Sequence, residues 1–233
     1  IQGNRYMDAT LYTGTGTTLN VVNASQFKPD LVWIKSRSAA TDNKLTDSVR
    51  GATKAFISSS AALETTDTNG LTAFNSNGLS IGTDTIYNNN AATYVAWQWQ
   101  AGQGSTSSNT SGTVTSTVSV NTTAGFSILT YTIPSSGSGW TIGHGLGVAP
   151  KFIFAKARTG STAGSIIYHE SIGNTKYLTT SSTGAATTDS GAWNNTSPTS
   201  TLFTNGTASF WGASNTYVAY CFAEIAGFSK FGS

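Results

Sequence analysis

Apolar and polar positions along this chain repeat with the period of a strand. Tyr94, Ala96 and Gln98 alternate with Val95, Trp97 and Trp99, and Thr113–Val120 alternates valine with threonine and serine. Side chains two apart share one face of a sheet, so each run predicts a strand with two unlike faces. In the first run the face of Val95, Trp97 and Trp99 reads as the apolar one. Two near-continuous apolar runs, Leu31–Lys35 and Phe152–Lys156, follow Pro29 and Pro150. Proline lacks the N–H a ladder needs and suits a strand's start, and such runs read as central strands. Further strands are expected at Thr10–Thr13, Thr18–Val22, Leu45–Val49, Ala55–Ser58, Leu71–Phe74 and Leu79–Ile81, and again at Ser127–Thr132, Gly139–Ile142, Ser165–His169, Lys176–Thr180, Ser200–Thr204, Ala208–Phe210 and Tyr217–Ala223. Asn77-Gly78 and Asn205-Gly206 read as hairpin turns, because both residue types tolerate positive φ. No segment carries sustained helical periodicity. Short strands broken by turn signals every eight to twelve residues or so indicate a sandwich or jelly roll.

The pattern occurs twice. Phe27-Lys-Pro-Asp-Leu-Val-Trp-Ile-Lys-Ser-Arg37 aligns with Val148-Ala-Pro-Lys-Phe-Ile-Phe-Ala-Lys-Ala-Arg158 at an offset of 121. Thr93-Tyr-Val-Ala-Trp97 aligns with Thr216-Tyr-Val-Ala-Tyr220 at 123, Thr53-Lys-Ala-Phe56 with Thr175-Lys-Tyr-Leu178 at 122, and Tyr12-Thr13 with Tyr131-Thr132. Four matches in order, with so little drift, predict an internal duplication. The expected architecture is all-β: two tandem lectin-like or jelly-roll-type β-sandwich domains. They would span residues 1–101 and 113–233, joined by a flexible Ser/Thr/Gly linker over 102–112.

Composition narrows the function. Charged residues make up 9% of the 233, against roughly 25% in an average soluble protein. Threonine, serine, asparagine and glycine replace them, and with 11% aromatics the chain reads as folded. The net charge of +2 comes from scattered residues with no basic block, which argues against nucleic acid. No apolar run approaches the roughly 18 residues of a membrane span. One cysteine, Cys221, leaves no intrachain disulfide. The start at Ile1, without methionine, reads as a fragment or processed product.

Several motifs carry a family resemblance: Phe27–Arg37, Asp47-Ser-Val-Arg-Gly51, Thr72-Ala-Phe-Asn-Ser-Asn-Gly-Leu79 and Tyr94-Val-Ala-Trp97. In the second half they are Ile142-Gly-His-Gly-Leu146, Tyr168-His-Glu-Ser171, Trp193-Asn-Asn-Thr-Ser-Pro-Thr199 and Tyr217-Val-Ala-Tyr-Cys-Phe222. At these residues, and over nearly its whole length, the chain resembles a repeated domain of tail-fibre and other virion-associated proteins of marine tailed phages, notably cyanophages. The resemblance implies lectin-type sandwiches on a virion surface, outside the cell. It implies a tail fibre, spike or surface decoration with a role in adhesion and host attachment. The partners would be other virion proteins or copies of itself, a homotrimer in the case of a fibre, and a host cell-surface glycan or receptor. It brings no catalytic residues.

The candidate chemistry fits a non-catalytic module. Two histidines, His144 and His169, exclude a histidine-rich metal site, and no cofactor motif occurs. Tyr168-His169-Glu170 holds the one His–carboxylate neighbour pair, but adjacent strand residues face opposite ways and form no dyad. A glycan-active enzyme would need two facing carboxylates, which sequence alone leaves open, as it does a secreted carbohydrate-binding module. Trp33 and Trp97 fall at positions aromatic in both halves and are expected in the core. Trp193 and Trp211 lie among Asn, Ser and Gly without clear counterparts in the first half. With His144, Tyr168 and His169 they form the predicted ligand surface.

Overall fold

The computed structural model describes residues 3–160 and 164–232. They are 4% helix and 40% strand, in antiparallel sheets. The chain is thus all-β. It divides into two compact units: the described residues up to Ser59 with Glu64–Gly104, and Ser60–Leu63 with Ser105 onward.

The first unit contains β1 (Met7–Thr13), β2 (Leu19–Val22), β3 (Leu31–Ser36), β4 (Lys44–Asp47), β5 (Lys54–Ile57), β6 (Thr65–Thr66), β7 (Leu71–Asn75), β8 (Gly78–Ile81), the short α1 (Thr85–Asn88) and β9 (Thr93–Trp99). One sheet has the order β1-β9-β3-β4-β5-β6 and the other β2-β8-β7. The core lies between them. Val32, Ile34, Tyr94 and Ala96 come from the larger sheet and Val21, Leu71, Leu79 and Ile81 from the smaller. The β7–β8 hairpin turns at Ser76-Asn77, with Asn75 opposite Gly78. Gly78 has φ +155°, and a Cβ there would lie 2.0 Å from the Val21 carbonyl oxygen, so only glycine fits.

The second unit contains β10 (Ser107–Asn109), β11 (Ser116–Asn121), β12 (Phe126–Thr132), β13 (Thr141–Gly143), β14 (Phe152–Ala157), β15 (Ser165–His169), β16 (Lys176–Tyr177), β17 (Thr187–Thr188), β18 (Leu202–Thr204) and β19 (Thr216–Phe222). Its large sheet has the order β10-β11-β12-β19-β14-β15, and β13 pairs with β18. The stretch β12-β19-β14-β15 repeats the order of β1-β9-β3-β4, and β13–β18 repeats β2–β8. Local bonding repeats as well. Tyr12 stacks on Tyr94 at 5.0 Å and Tyr131 on Tyr217 at 5.6 Å. The Tyr94 hydroxyl donates to the Thr85 carbonyl and accepts from the Asn89 N–H; Tyr217 does the same with Phe210 and Gly212.

Three expectations change. The face of β9 turned to the core is that of Tyr94, Ala96 and Gln98. Trp33 and Trp97 lie on the opposite face, half-buried and edge-to-face at 5.9 Å. No hairpin forms at Asn205-Gly206. Asn205 is buried and donates to the Tyr131 hydroxyl, Gly206 packs against the Gly191 carbonyl, and Ala208–Phe210 is a turn. Residues 102–112 are not a free linker. The Gln103 and Gly104 N–H groups are bound by the Asp30 carboxylate, and Ser107–Asn109 pairs with β11.

Candidate functional site

The five residues expected at a ligand surface do not form one. Trp193 is 1% exposed and Trp211 5%. With Tyr168, 4% exposed, they pack edge-on: Trp193 lies 5.7 Å from Tyr168 and 5.8 Å from Trp211. Trp211 Nε1 donates to the Ala192 carbonyl. A sugar cannot stack on rings that the core already covers. Trp193 also has a counterpart in the first unit. The Asp67 N–H donates to the Thr53 carbonyl and its carboxylate accepts from the Asn69 N–H; Asp189, Thr175 and Gly191 repeat this. Four residues past each Asp stand Leu71 and Trp193, both buried.

His144 is also fully buried. Its Nδ1 accepts from the Leu146 N–H, so Nε2 carries the proton and donates to the Thr199 carbonyl. Burial holds its pKa below the ordinary histidine value, partly offset by the Thr199 bond. The ring is neutral and fixes a turn. Asn23 does this in the first unit, where its side chain bonds both the N–H and the carbonyl of Phe27. His169 is half-exposed and caps the turn Glu170–Ile172, its Nδ1 accepting from the Ser171 N–H and hydroxyl. It stands opposite Phe152 as Asp47 stands opposite Leu31, and Asp47 accepts from the Val49 N–H in the same manner.

A cleft of about 430 Å³ lies elsewhere in the second unit. Its walls are threonines: Thr113, Thr115, Thr117, Thr130, Thr132 and Thr216. The strand period produces this lining. Thr113, Thr115 and Thr117 are exposed, while the intervening Val114, Ser116 and Val118 are buried. Thr117 pairs with Thr130 across β11–β12, and Thr132 with Thr216 across β12–β19. Arg158 also lines the cleft, its backbone N–H donating to the Thr216 carbonyl. Pro134 adds an exposed apolar surface. Tyr131 borders the cleft, but its ring faces the core and burial raises its pKa. The lining thus offers hydroxyl donors and acceptors and one guanidinium, with no carboxylate, histidine or cysteine. It can hydrogen-bond a neutral polyhydroxylated ligand. The signal in the sequence is Thr113-Val-Thr-Ser-Thr117, a strand alternation whose polar half is the site.

A cluster of buried charges lies in the first unit. Arg50 pairs with Asp47 and with Glu64 at 3.1 Å, donates to the Leu45 carbonyl, and lies 4.3 Å over the Phe56 ring. Such a cluster fixes the β4–β5 corner. Among the described residues no three of His, Cys, Asp or Glu converge to hold a metal, and no helix is long and apolar enough to cross a membrane.

A family profile described as a domain of unknown function (DUF7483) matches residues 2–233. The chain belongs to that family, and the match runs across both units. No curated protein and no solved structure matches the chain.

Proposed function

We propose that this chain is a non-catalytic adhesion module of a phage virion, part of a tail fibre, spike or surface decoration, that binds a host-surface glycan in the threonine-lined cleft. The observation that carries the reading is the lining itself: six threonines and one arginine on a rigid sheet, with no carboxylate. Glycoside hydrolysis in most families needs two carboxylates flanking the bond, so the cleft favours binding over cleavage. The lining has no exposed aromatic ring for stacking a sugar. A single site would therefore bind weakly, and copies on one particle would supply avidity. The virion setting rests on the resemblance of motifs such as Phe27–Arg37 and Trp193–Thr199. The repeated strand order and hydrogen bonds of the two units support descent from one duplicated sandwich.

The test is binding to a panel of bacterial surface polysaccharides by the wild type and by Thr117→Val, Thr130→Val and Arg158→Ala. A ligand whose affinity falls by about two- to tenfold in at least two variants is expected, since each lost hydrogen bond is worth roughly 0.5–1.5 kcal/mol and one to a charged group more. A glycan bound equally well by all three variants would place binding elsewhere. Turnover of the polysaccharide would overturn the non-catalytic reading.

A further inference from the structure

The two large sheets differ at one edge. In the second unit β12 is covered by β11, with Thr117 opposite Thr130, Ser119 opposite Ile128 and Asn121 opposite Phe126. Its counterpart in the first unit, β1, stands at the end of the sheet order, and among the described residues no strand pairs with its outer side. The ladder shows which groups are left. The Gly14 N–H donates to the Ala92 carbonyl and the Gln100 N–H to the Tyr6 carbonyl. Antiparallel bonds alternate, so Tyr6, Asp8, Thr10, Tyr12 and Gly14 bond to β9. The N–H and carbonyl groups of Met7, Ala9, Leu11 and Thr13 point to the open edge. Ala9, Leu11 and Thr13 are exposed, and Leu11, at 60%, is the most exposed large hydrophobic among the described residues.

Proteins guard such an edge with lysine, proline, a bulge or a very short strand. The other ends of the two large sheets follow the rule. β6 has two residues and β10 three, and Ile167 of β15 is bridged by Leu178. β1 has seven residues, no lysine and no proline. Its one charge, Asp8, is engaged by the Ala24 N–H at 2.8 Å and by the Thr10 hydroxyl. Nothing on this edge repels a strand.

We propose that β1 is a docking edge for an extended strand of a partner protein, added antiparallel, with valine alternating with serine or threonine. β11 is the precedent. It supplies that chemistry to the equivalent edge, through backbone bonds to the counterparts of Met7, Ala9 and Leu11. Main-chain bonds give such β-augmentation its affinity, and alternate side chains its specificity. In the register of β11 the partner's threonine would lie beside Leu11, and its valines on the opposite face, beside Asp8 and Thr10.

A labelled peptide of residues 113–121, Thr-Val-Thr-Ser-Thr-Val-Ser-Val-Asn, serves as the probe. The full chain should bind it saturably below millimolar concentration. Leu11→Lys should weaken it at least tenfold, and Val148→Lys, at another exposed hydrophobic position, should not. In hydrogen exchange the amides of Met7, Ala9 and Leu11 should gain protection on peptide addition, while those of Thr10 and Tyr12 are protected throughout. Leu11 is surface-exposed, so the variant should fold, and its melting curve checks this. The hydrogen-exchange readout needs no variant at all. No saturable binding, or binding without protection at these three amides, overturns the proposal. Dimerisation of the chain alone that Leu11→Lys abolishes would make the occupant a second copy and overturn the partner assigned here.

Discussion

The Asp67 carboxyl lies near that of Asp84, and two ionised carboxylates held close repel one another. Each also holds a turn: Asp67 accepts from the Asn69 N–H, and Asp84 caps α1 through the Ile86 N–H. Burial, followed by the neighbouring Asp84 carboxyl, raises the Asp67 pKa; the Asn69 bond and Lys44 pull against them. A raised carboxyl pKa means that the folded state binds the proton more tightly. Its stabilisation is fully present below the unfolded value of about 3.9 and is lost as pH rises through the folded value. Asp67→Asn keeps a donor toward Asp84 at every pH. The wild type should therefore fall behind Asp67→Asn in melting temperature as pH rises from 3 to 8. Parallel melting curves over that range would refute the raised Asp67 pKa. Sequence could not reveal this pair, because two residues 17 apart meet only through the sandwich. It misled more at Trp193 and Trp211. Their Asn/Ser/Gly neighbours describe the loop backbone, while both rings turn inward, Trp193 at the position Leu71 holds in the first unit. His144 was legible as a turn residue and not as a buried one.

At the scale of elements, alternation gave most strands to within a residue or two, because period and burial coincide there. It failed where a polar side chain took over. Asn205-Gly206 has hairpin chemistry, but Asn205 is spent on Tyr131, so β18 pairs only with β13. The large-sheet order was not readable, since cross-strand partners lie up to 96 residues apart, as Phe126 and Phe222 do. Residues 102–104 show the same limit. Their small polar composition suggests freedom, yet Asp30 ties them down. Its carboxylate accepts from the N–H groups of Ala101, Gln103 and Gly104 and from the Ser48 hydroxyl, each at 2.7 Å. Asp30→Ala strands these donors, at least one of them buried, and should destabilise by on the order of 3–5 kcal/mol. Asp30→Asn should cost less, because its one carbonyl oxygen still accepts. Denaturant unfolding gives the magnitudes, and hydrogen exchange should show protection lost first at residues 101–104. A loss below about 1 kcal/mol for Asp30→Ala would mean that the clamp is solvated.

The whole molecule carries 22 charged side chains on 233 residues and a net charge of +2. Several of these, Asp30, Lys44, Asp47, Arg50 and Lys156, are buried, so the surface is more neutral still. The cleft follows suit, with Arg158 its one full charge. Salt screens exposed charges with a Debye length of 8 Å at physiological ionic strength and 3 Å at 1 M, and hydroxyl-mediated hydrogen bonds are nearly indifferent to it. A neutral glycan in the threonine cleft should thus keep its affinity within about twofold between 0.05 and 0.6 M NaCl, since no charge pair is there to be screened. An anionic polysaccharide would engage Arg158 and lose affinity steadily across the same range. Arg158→Ala separates the two cases. With a neutral ligand it should lower affinity by the same factor at both salt concentrations, because a hydrogen bond is lost and no long-range attraction with it. With an anionic ligand its effect should shrink as salt rises. The second pattern would replace the neutral glycan with a charged one and leave the cleft as the site. Binding that rises with salt would point away from the cleft, toward apolar contacts that its threonines do not offer.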